Sequence, residues 1–329
     1  MSNKRQAPLY QALQDFSAKR PISFHVPGHK NGSIFSNKGK STFNKLLSFD
    51  VTELSGLDDL HAPSGVIEQA QEMASEWFKS DYTYFLVGGS TVGNLAMILT
   101  VCAPNEKIIV QRNCHKSIMN GLELCGADPI FLSPDYDEEV NRYTFPTVNE
   151  IKKAIQLHSD AKAIVLTYPD YFGRTFELKR VVDYAHQYNI PVLIDEAHGV
   201  HFHLSDMFPS SALELGADIV VQSAHKTIPA MTMGSFLHIK SSLIEPAKVN
   251  NYLQMLQSSS PSYPIMASLD LSRHFLENLH EQDLIEINQS IKKFRKLISN
   301  SNEWTLVKHK NNIDDPLKIT IPGCGVAPS

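Results

Sequence analysis

The chain has 329 residues, 42% of them hydrophobic and 20% charged, enough to bury a large core and to fill more than one domain. A formal net charge of -5 argues against nucleic acid or an anionic membrane as the main partner. The longest apolar stretches, such as Lys162–Thr167 and Leu95–Val101, are far too short to span a bilayer, and the first seven residues lack the apolar core of a signal peptide, so a cytoplasmic location is expected.

In chain order, a short helical pattern over Leu9–Lys19 precedes a polar segment, Asn31–Ser41, and residues 1–50 read as an N-terminal arm. Strand patterns follow at Thr83–Val87, Lys107–Val110, Pro129–Leu132, Lys162–Thr167, Pro191–Asp195, Asp218–Gln222 and Ser235–Ile239. Helical patterns lie between several of them, at Thr91–Cys102, Val148–Leu157 and Leu178–Tyr188. That alternation predicts an α/β fold of right-handed crossovers around a mainly parallel sheet with helices on both faces. After Lys240 the pattern turns helical, over Pro246–Gln257, Ala267–His280 and Leu284–Ser299. Cys102, Cys114, Cys125 and Cys324 form no C-x-x-C pair and read as reduced thiols.

Two of the apolar runs end on ionisable residues, Pro191–Asp195 on Asp195 and the run from Ala217 on Ser223-Ala224-His225-Lys226-Thr227. Ligands of open α/β sheets collect at the carboxyl ends of the strands, which aims both side chains at one crevice. A lysine and a carboxylate in that relation suit pyridoxal phosphate: the lysine forms a Schiff base, and the carboxylate keeps the pyridine nitrogen protonated. A third segment, Gly88-Gly89-Ser90-Thr91-Val92-Gly93-Asn94, leads from a strand into a helix, whose free N–H groups and positive dipole end favour a phosphate. Its spacing is not the G-x-G-x-x-G of a dinucleotide site.

Other chemistries compete for the same residues. Asp195-Glu196-Ala197-His198 also spells the nucleotide-hydrolysis box of some helicases, but the phosphate loop that box needs fails at Ile34, where Gly39-Lys40-Ser41 would require a glycine. A metal site could draw on His198, His201 and His203, the last two on one strand face, with Asp195 and Glu196; no second cluster has ligand spacing. His25 and His29 could simply cap or line a turn, and Asp58-Asp59 could be a solvated loop.

With these residues in view, the chain resembles the bacterial ornithine/lysine/arginine decarboxylases, pyridoxal-phosphate enzymes of fold type I. The resemblance runs through Phe24–Lys30, Asp50–His61, Gly88–Asn94, Arg112–Ser117, Thr167–Gly173, Asp195–Gly199 and Ser223–Thr227, in family order. It implies that Lys226 holds the cofactor and later moves protons, that Asp195 pairs with the pyridinium nitrogen, that His198 sits close to the ring and that His115 stacks on its face. It further implies phosphate contacts from Ser90, Thr91, Ser223 and His225, with Thr232 reaching the phosphate of a neighbouring subunit in a homodimer or larger homo-oligomer. The activity implied is decarboxylation of a basic amino acid, arginine first, then lysine or ornithine, to an amine of the polyamine route.

The family pattern divides the chain into the arm (1–50), a cofactor-binding major domain (51–300) and the start of a C-terminal domain (301–329). Asp314–Ile321 resembles that domain's first strand, and family members continue beyond Ser329. A truncated, inactive remnant that folds or dimerises without turnover therefore stands as an alternative, as does another fold-type-I chemistry, an aminotransferase or a lyase.

Overall fold

Seven short apolar runs pair into one sheet, and their alternation decides what each face buries. A computed structural model describes residues 6–138, 141–301, 304, 306–307 and 314–321. The strands are β1 (Tyr82–Leu86), β2 (Lys107–Gln111), β3 (Asp128–Leu132), β4 (Tyr136–Asp137), β5 (Arg142–Tyr143), β6 (Ile164–Thr167), β7 (Val192–Asp195), β8 (Ile219–Gln222) and β9 (Ser235–Ile239). β4 and β5 form a separate small hairpin, and the main sheet has the order β1-β9-β8-β7-β6-β2-β3. Strands β8, β7, β6, β2 and β3 run parallel, while β9 is antiparallel to both β8 and β1. Since β1 and β8 are each antiparallel to β9, they point the same way. The carboxyl ends of β1, β2, β7 and β8 therefore share one edge, and β9 begins there.

Side chains alternate along each strand, so the sheet feeds two apolar layers. Ile109, Ile164, Leu166, Val192, Ile194 and Val220 join one, with Leu9, Leu13, Ile67, Ile151, Val181 and Met266 from the helices above them. Ile108, Val110, Val165, Leu193, Ile219 and Val221 join the other, with Val92, Ala96, Ile118, Leu122, Val249 and Leu253. Each fully buried aliphatic side chain contributes about 1.5–3 kcal/mol, so the central strands, buried on both faces, are the most firmly held. Gly93 brings the helix Gly89–Val101 close to the sheet. A Cβ there would lie 2.8 Å from both Leu86 Cδ1 and Val221 Cγ1, so only glycine permits this approach.

The N-terminal helix Pro8–Ala18 packs against the rest of the chain, with Leu9 and Leu13 fully buried. Asp270, in helix Tyr263–Glu277, accepts from the backbone N–H of Leu9 at 3.0 Å and of Tyr10 at 3.3 Å, and Arg273 donates to the carbonyl of Gln6 at 2.6 Å. The polar segment expected over Asn31–Ser41 runs into a helix, Asn37–Leu47, which buries only Leu47. Helices Val66–Phe78 and Lys116–Cys125 were not expected from periodicity. Asp58 is an anchor rather than a solvated loop residue: its Oδ2 accepts from the N–H groups of Gly65 at 2.8 Å and Ile67 at 2.9 Å, capping the helix Val66–Phe78. His29 does line a turn, accepting from Gly32 N–H at 3.2 Å while its Nε2 faces Asp50 Oδ2 at 3.0 Å.

Candidate active site

The shared edge gathers side chains from four strand ends. Asp195 closes β7, where it is buried, and Lys226 stands on the helical turn Ala224–Thr227 that follows β8. Asp195 accepts from Asn94 Nδ2 at 3.0 Å and from the Ala197 N–H at 3.1 Å. Burial pushes its carboxyl above the ordinary aspartate value, opposed by the Asn94 hydrogen bond and by the charge of Lys226. Burial likewise pulls Lys226 below the ordinary lysine value, opposed by Asp195 and reinforced by the charge of Lys318.

A polar chain runs from Asp195 to His115. Asn94 Nδ2 also donates to Ser117 Oγ at 2.8 Å, which leaves the Ser117 hydroxyl to donate to His115 Nδ1 at 2.8 Å. The Ser117 N–H reaches the same Nδ1 at 3.2 Å, so His115 caps the helix Lys116–Cys125. Nδ1 thus acts as the acceptor of both bonds, which leaves Nε2 as the ring's free nitrogen.

A second group surrounds the start of helix Gly89–Val101. Ser223 Oγ donates to Ser90 Oγ at 2.9 Å, and Thr91 is exposed in the first turn. Gly89 takes a positive φ of 76° and donates to the Met233 carbonyl at 2.8 Å, fastening the turn before β9 to this helix end. His225 Nδ1 donates to the Gly234 carbonyl at 2.9 Å from the other side of that turn, which carries the exposed Thr232.

His198 stands beside Lys226. Its Nε2 lies 3.3 Å from Lys226 Nζ and its Nδ1 lies 3.3 Å from Lys318 Nζ, with the Tyr171 ring edge-on at 5.4 Å. Burial first, then the charges of Lys226 and Lys318, push His198 down to about 3, so the ring is neutral at physiological pH. The neighbouring histidines face elsewhere. They do not share a strand face: His201 opens the 3-10 turn Phe202–Leu204 and its Nε2 lies 3.1 Å from Asp315 Oδ1, while His203 Nδ1 lies 3.5 Å from Glu214. Among the described residues no group of three or more His, Cys, Asp or Glu side chains is placed to hold a metal ion, and no helix is long and apolar enough to cross a membrane.

The strand ends and the glycine turn point to Asp195, Lys226 and Ser90, and the family resemblance adds His115, His198 and Ser223; all six stand at this edge. Asn94, Ser117 and Lys318 had no role assigned from sequence, although Asn94 and Ser117 lie inside quoted motifs. Asp314–Ile321, expected as a strand, has no sheet pairing among the described residues; it lies against Gly173 and His201.

The donor set fits pyridoxal phosphate: a buried carboxylate, a lysine at the adjacent strand end, and hydroxyls at a helix N-terminus. Asn94 Oδ1 and Thr227 Oγ1 are buried there without a hydrogen-bond partner, leaving polar capacity unspent. Sheet order and site together define the α/β architecture of fold-type-I pyridoxal-phosphate enzymes. The chain belongs to the Orn/Lys/Arg decarboxylase family, whose major-domain model matches residues 7–321. It is 52% identical over 318 residues to the uncharacterized protein YaaO of Bacillus subtilis (strain 168), covering 95% of this chain and 66% of that one. It is 40% identical over 293 residues to the arginine decarboxylase of the same organism, covering 88% and 60%. Lysine decarboxylase A from Pseudomonas aeruginosa superposes with a TM-score of 0.85 at 20% identity, over 97% of this chain and 52% of that one. The chain thus spans between about half and two thirds of the length of these relatives.

Proposed function

We propose that this chain is a pyridoxal-phosphate-dependent decarboxylase of a basic amino acid, arginine first and lysine or ornithine next, releasing carbon dioxide and the corresponding amine. The observation that carries the reading is the placement of Asp195 and Lys226 at the ends of neighbouring parallel strands, with the serine-lined helix start beside them. The 40% identity to an arginine decarboxylase favours arginine.

In this reading Lys226 Nζ would hold the cofactor, and Asp195 would keep a proton on its ring nitrogen. His115 would stack on the ring, His198 would sit close to it, and Ser90, Thr91, Ser223 and His225 would bind its phosphate. Thr232, on the exposed turn before β9, would reach the phosphate of a neighbouring subunit in a homodimer. When bound, pyridoxal phosphate supplies an electron sink for the pair left on Cα as carbon dioxide departs. The chain's own part is to keep Asp195 ionised against the cost of burying it, which the Asn94 and Ala197 donors offset. Lys226 Nζ would be the group that returns a proton to Cα. The division into an arm (1–50), a major domain (51–300) and the start of a further domain (301–329), and a cytoplasmic place in amine synthesis, belong to the same proposal.

The test is product analysis with pyridoxal phosphate and each of the three amino acids. Amine and carbon dioxide from one of them support the reading; a keto acid would replace it with amino transfer. Cofactor uptake without any product would favour a second reading, a chain that folds around the cofactor without turnover. Asp195→Asn is expected to retain cofactor and lose most turnover.

A further inference from the structure

Lys318 lies 120 residues beyond His198 in sequence, yet its Nζ stands 3.3 Å from that ring's Nδ1. The segment that carries it is pinned at several points. The Asp315 N–H donates to the Gly173 carbonyl at 2.8 Å, and the buried Asp315 carboxylate faces His201 Nε2 at 3.1 Å. The Lys318 N–H donates to the Asp315 carbonyl at 3.0 Å, and Arg295 donates to the Lys318 carbonyl at 3.2 Å. Gly173, at a positive φ of 81°, admits the segment: a Cβ there would lie 2.5 Å from Lys318 Cγ and 2.9 Å from Asp315 Cβ. The backbone is fixed at both ends of the residue, and the tip of the side chain is left to meet a ligand.

The cation so placed has no acid of its own. Among the described residues no carboxylate forms an ion pair with Lys318; Asp315, the acid on its own segment, is turned to His201 and to the Leu317 N–H. The opposite nitrogen of the His198 ring lies 3.3 Å from Lys226 Nζ, so the two lysines flank one imidazole. Lys226 is committed to the cofactor in the reading above, which leaves Lys318 as the cation facing what binds there. A basic amino acid brings charge of both signs, a carboxylate next to its reacting amine and a cation at the far end. Lys318 attracts the first and repels the second, so it selects which end lies beside His198.

We propose that Lys318 is a further substrate-binding residue: its ammonium group pairs with the α-carboxylate of the amino acid that binds beside Lys226 and turns the basic end of the side chain away. The inference rests on the cofactor reading above. Such a pair adds about 10- to 100-fold in affinity, the range for a hydrogen bond to a charged group. Departure of carbon dioxide removes the anion, so the amine product is held less tightly than the substrate.

The test compares arginine with arginine methyl ester, and lysine with its methyl ester, on the full chain loaded with pyridoxal phosphate. Each ester keeps the amine that shifts the cofactor band and lacks the negative charge. Dissociation constants come from the shift of the visible band, read before turnover, in the parent, Lys318→Met and Lys318→Arg. The parent is expected to prefer at least one acid over its ester by the factor given above. Lys318→Met should lose most of that preference, and Lys318→Arg should keep it. Each preference is a ratio within one protein, so a general loosening of the site cancels. A parent that binds acid and ester alike, or a Lys318→Met protein with undiminished preference, would overturn the proposal. Weaker cofactor uptake by Lys318→Met with the preference intact would also overturn it, assigning the lysine to the cofactor. Should Lys318→Met not fold, Lys318→Gln carries the same comparison, and the parent's preference needs no variant. A parent with no cofactor band defeats the cofactor reading and this inference together, whereas a band without preference defeats this inference alone.

Discussion

Asn94 holds the buried carboxylate of Asp195 from a helix 101 residues earlier in the chain, donating to its Oδ2 at 3.0 Å. The same Nδ2 reaches Ser117, which in turn orients His115. Asn94 is thus the joint between the residue expected under the cofactor ring nitrogen and the residue expected on the ring face.

Asn94→Ala would leave Asp195 with the Ala197 N–H as its remaining hydrogen-bond donor and would free Ser117. Loss of a donor to a buried, charged acceptor costs about 1–3 kcal/mol. Urea unfolding should register that loss, and pyridoxal phosphate should bind more weakly. A variant within experimental error of the parent in both would remove Asn94 from the site.

The close approach of helix Gly89–Val101 to the sheet sets up a contrast between two glycines. Gly93→Ala forces a Cβ to 2.8 Å from Leu86 and Val221, and overpacking of this kind costs about 1–3 kcal/mol. Gly39→Ala, in the exposed helix Asn37–Leu47, meets nothing nearer than 3.4 Å and should stabilise by about 0.4–1 kcal/mol through the unfolded chain. Urea midpoints of the two variants should move in opposite directions; movement of both in the same direction would contradict the packing described.

Glu196 is fully buried behind the site. It accepts from Ala212 N–H at 2.7 Å, Gln222 at 2.6 Å and Ser211 at 2.9 Å, yet burial pushes its carboxyl up to about 8 from the ordinary 4.5. Between those values the folded chain holds a proton that the unfolded chain has lost. Stability contributed by Glu196 is therefore present below 4.5 and is lost as pH rises through 8, at no more than about 1.4 kcal/mol per pH unit. Unfolding free energies of the parent and Glu196→Gln, compared across that window, should diverge in favour of the variant as pH rises. A constant difference would mean that the donors win over burial and that Glu196 is ionised throughout.

Much of this arrangement was legible in the sequence because buried parallel strands announce themselves as unbroken apolar runs. The central strands β2, β6, β7 and β8 stand where Val, Ile and Leu cluster, β1 is carried by aromatic residues instead, and the runs that end on Asp195 and toward Lys226 point to the edge where both are found. Helix Val66–Phe78 was not legible because its buried stripe is built from Ala70, Gln71 and Ala74 as well as Ile67 and Phe78. Gln71 is buried because its side chain accepts from the Phe85 N–H at 2.9 Å. Helix Lys116–Cys125 contains Gly121, a helix-weakening residue kept for contact with Ile98, 2.7 Å from where its Cβ would lie. Lys318 and the Asn94–Ser117 link could not be read at all, since contacts between distant segments leave no local period.

The central claim is that Lys226 and Asp195 form a pyridoxal-phosphate site, and the most direct measurement is a visible-absorbance titration of the purified chain with that cofactor, beside Lys226→Ala. The account predicts a saturable band from lysine-bound cofactor in the parent, its disappearance in Lys226→Ala, and a shift of the band when arginine is added. No band in a folded parent chain, or an equal band in Lys226→Ala, would contradict it.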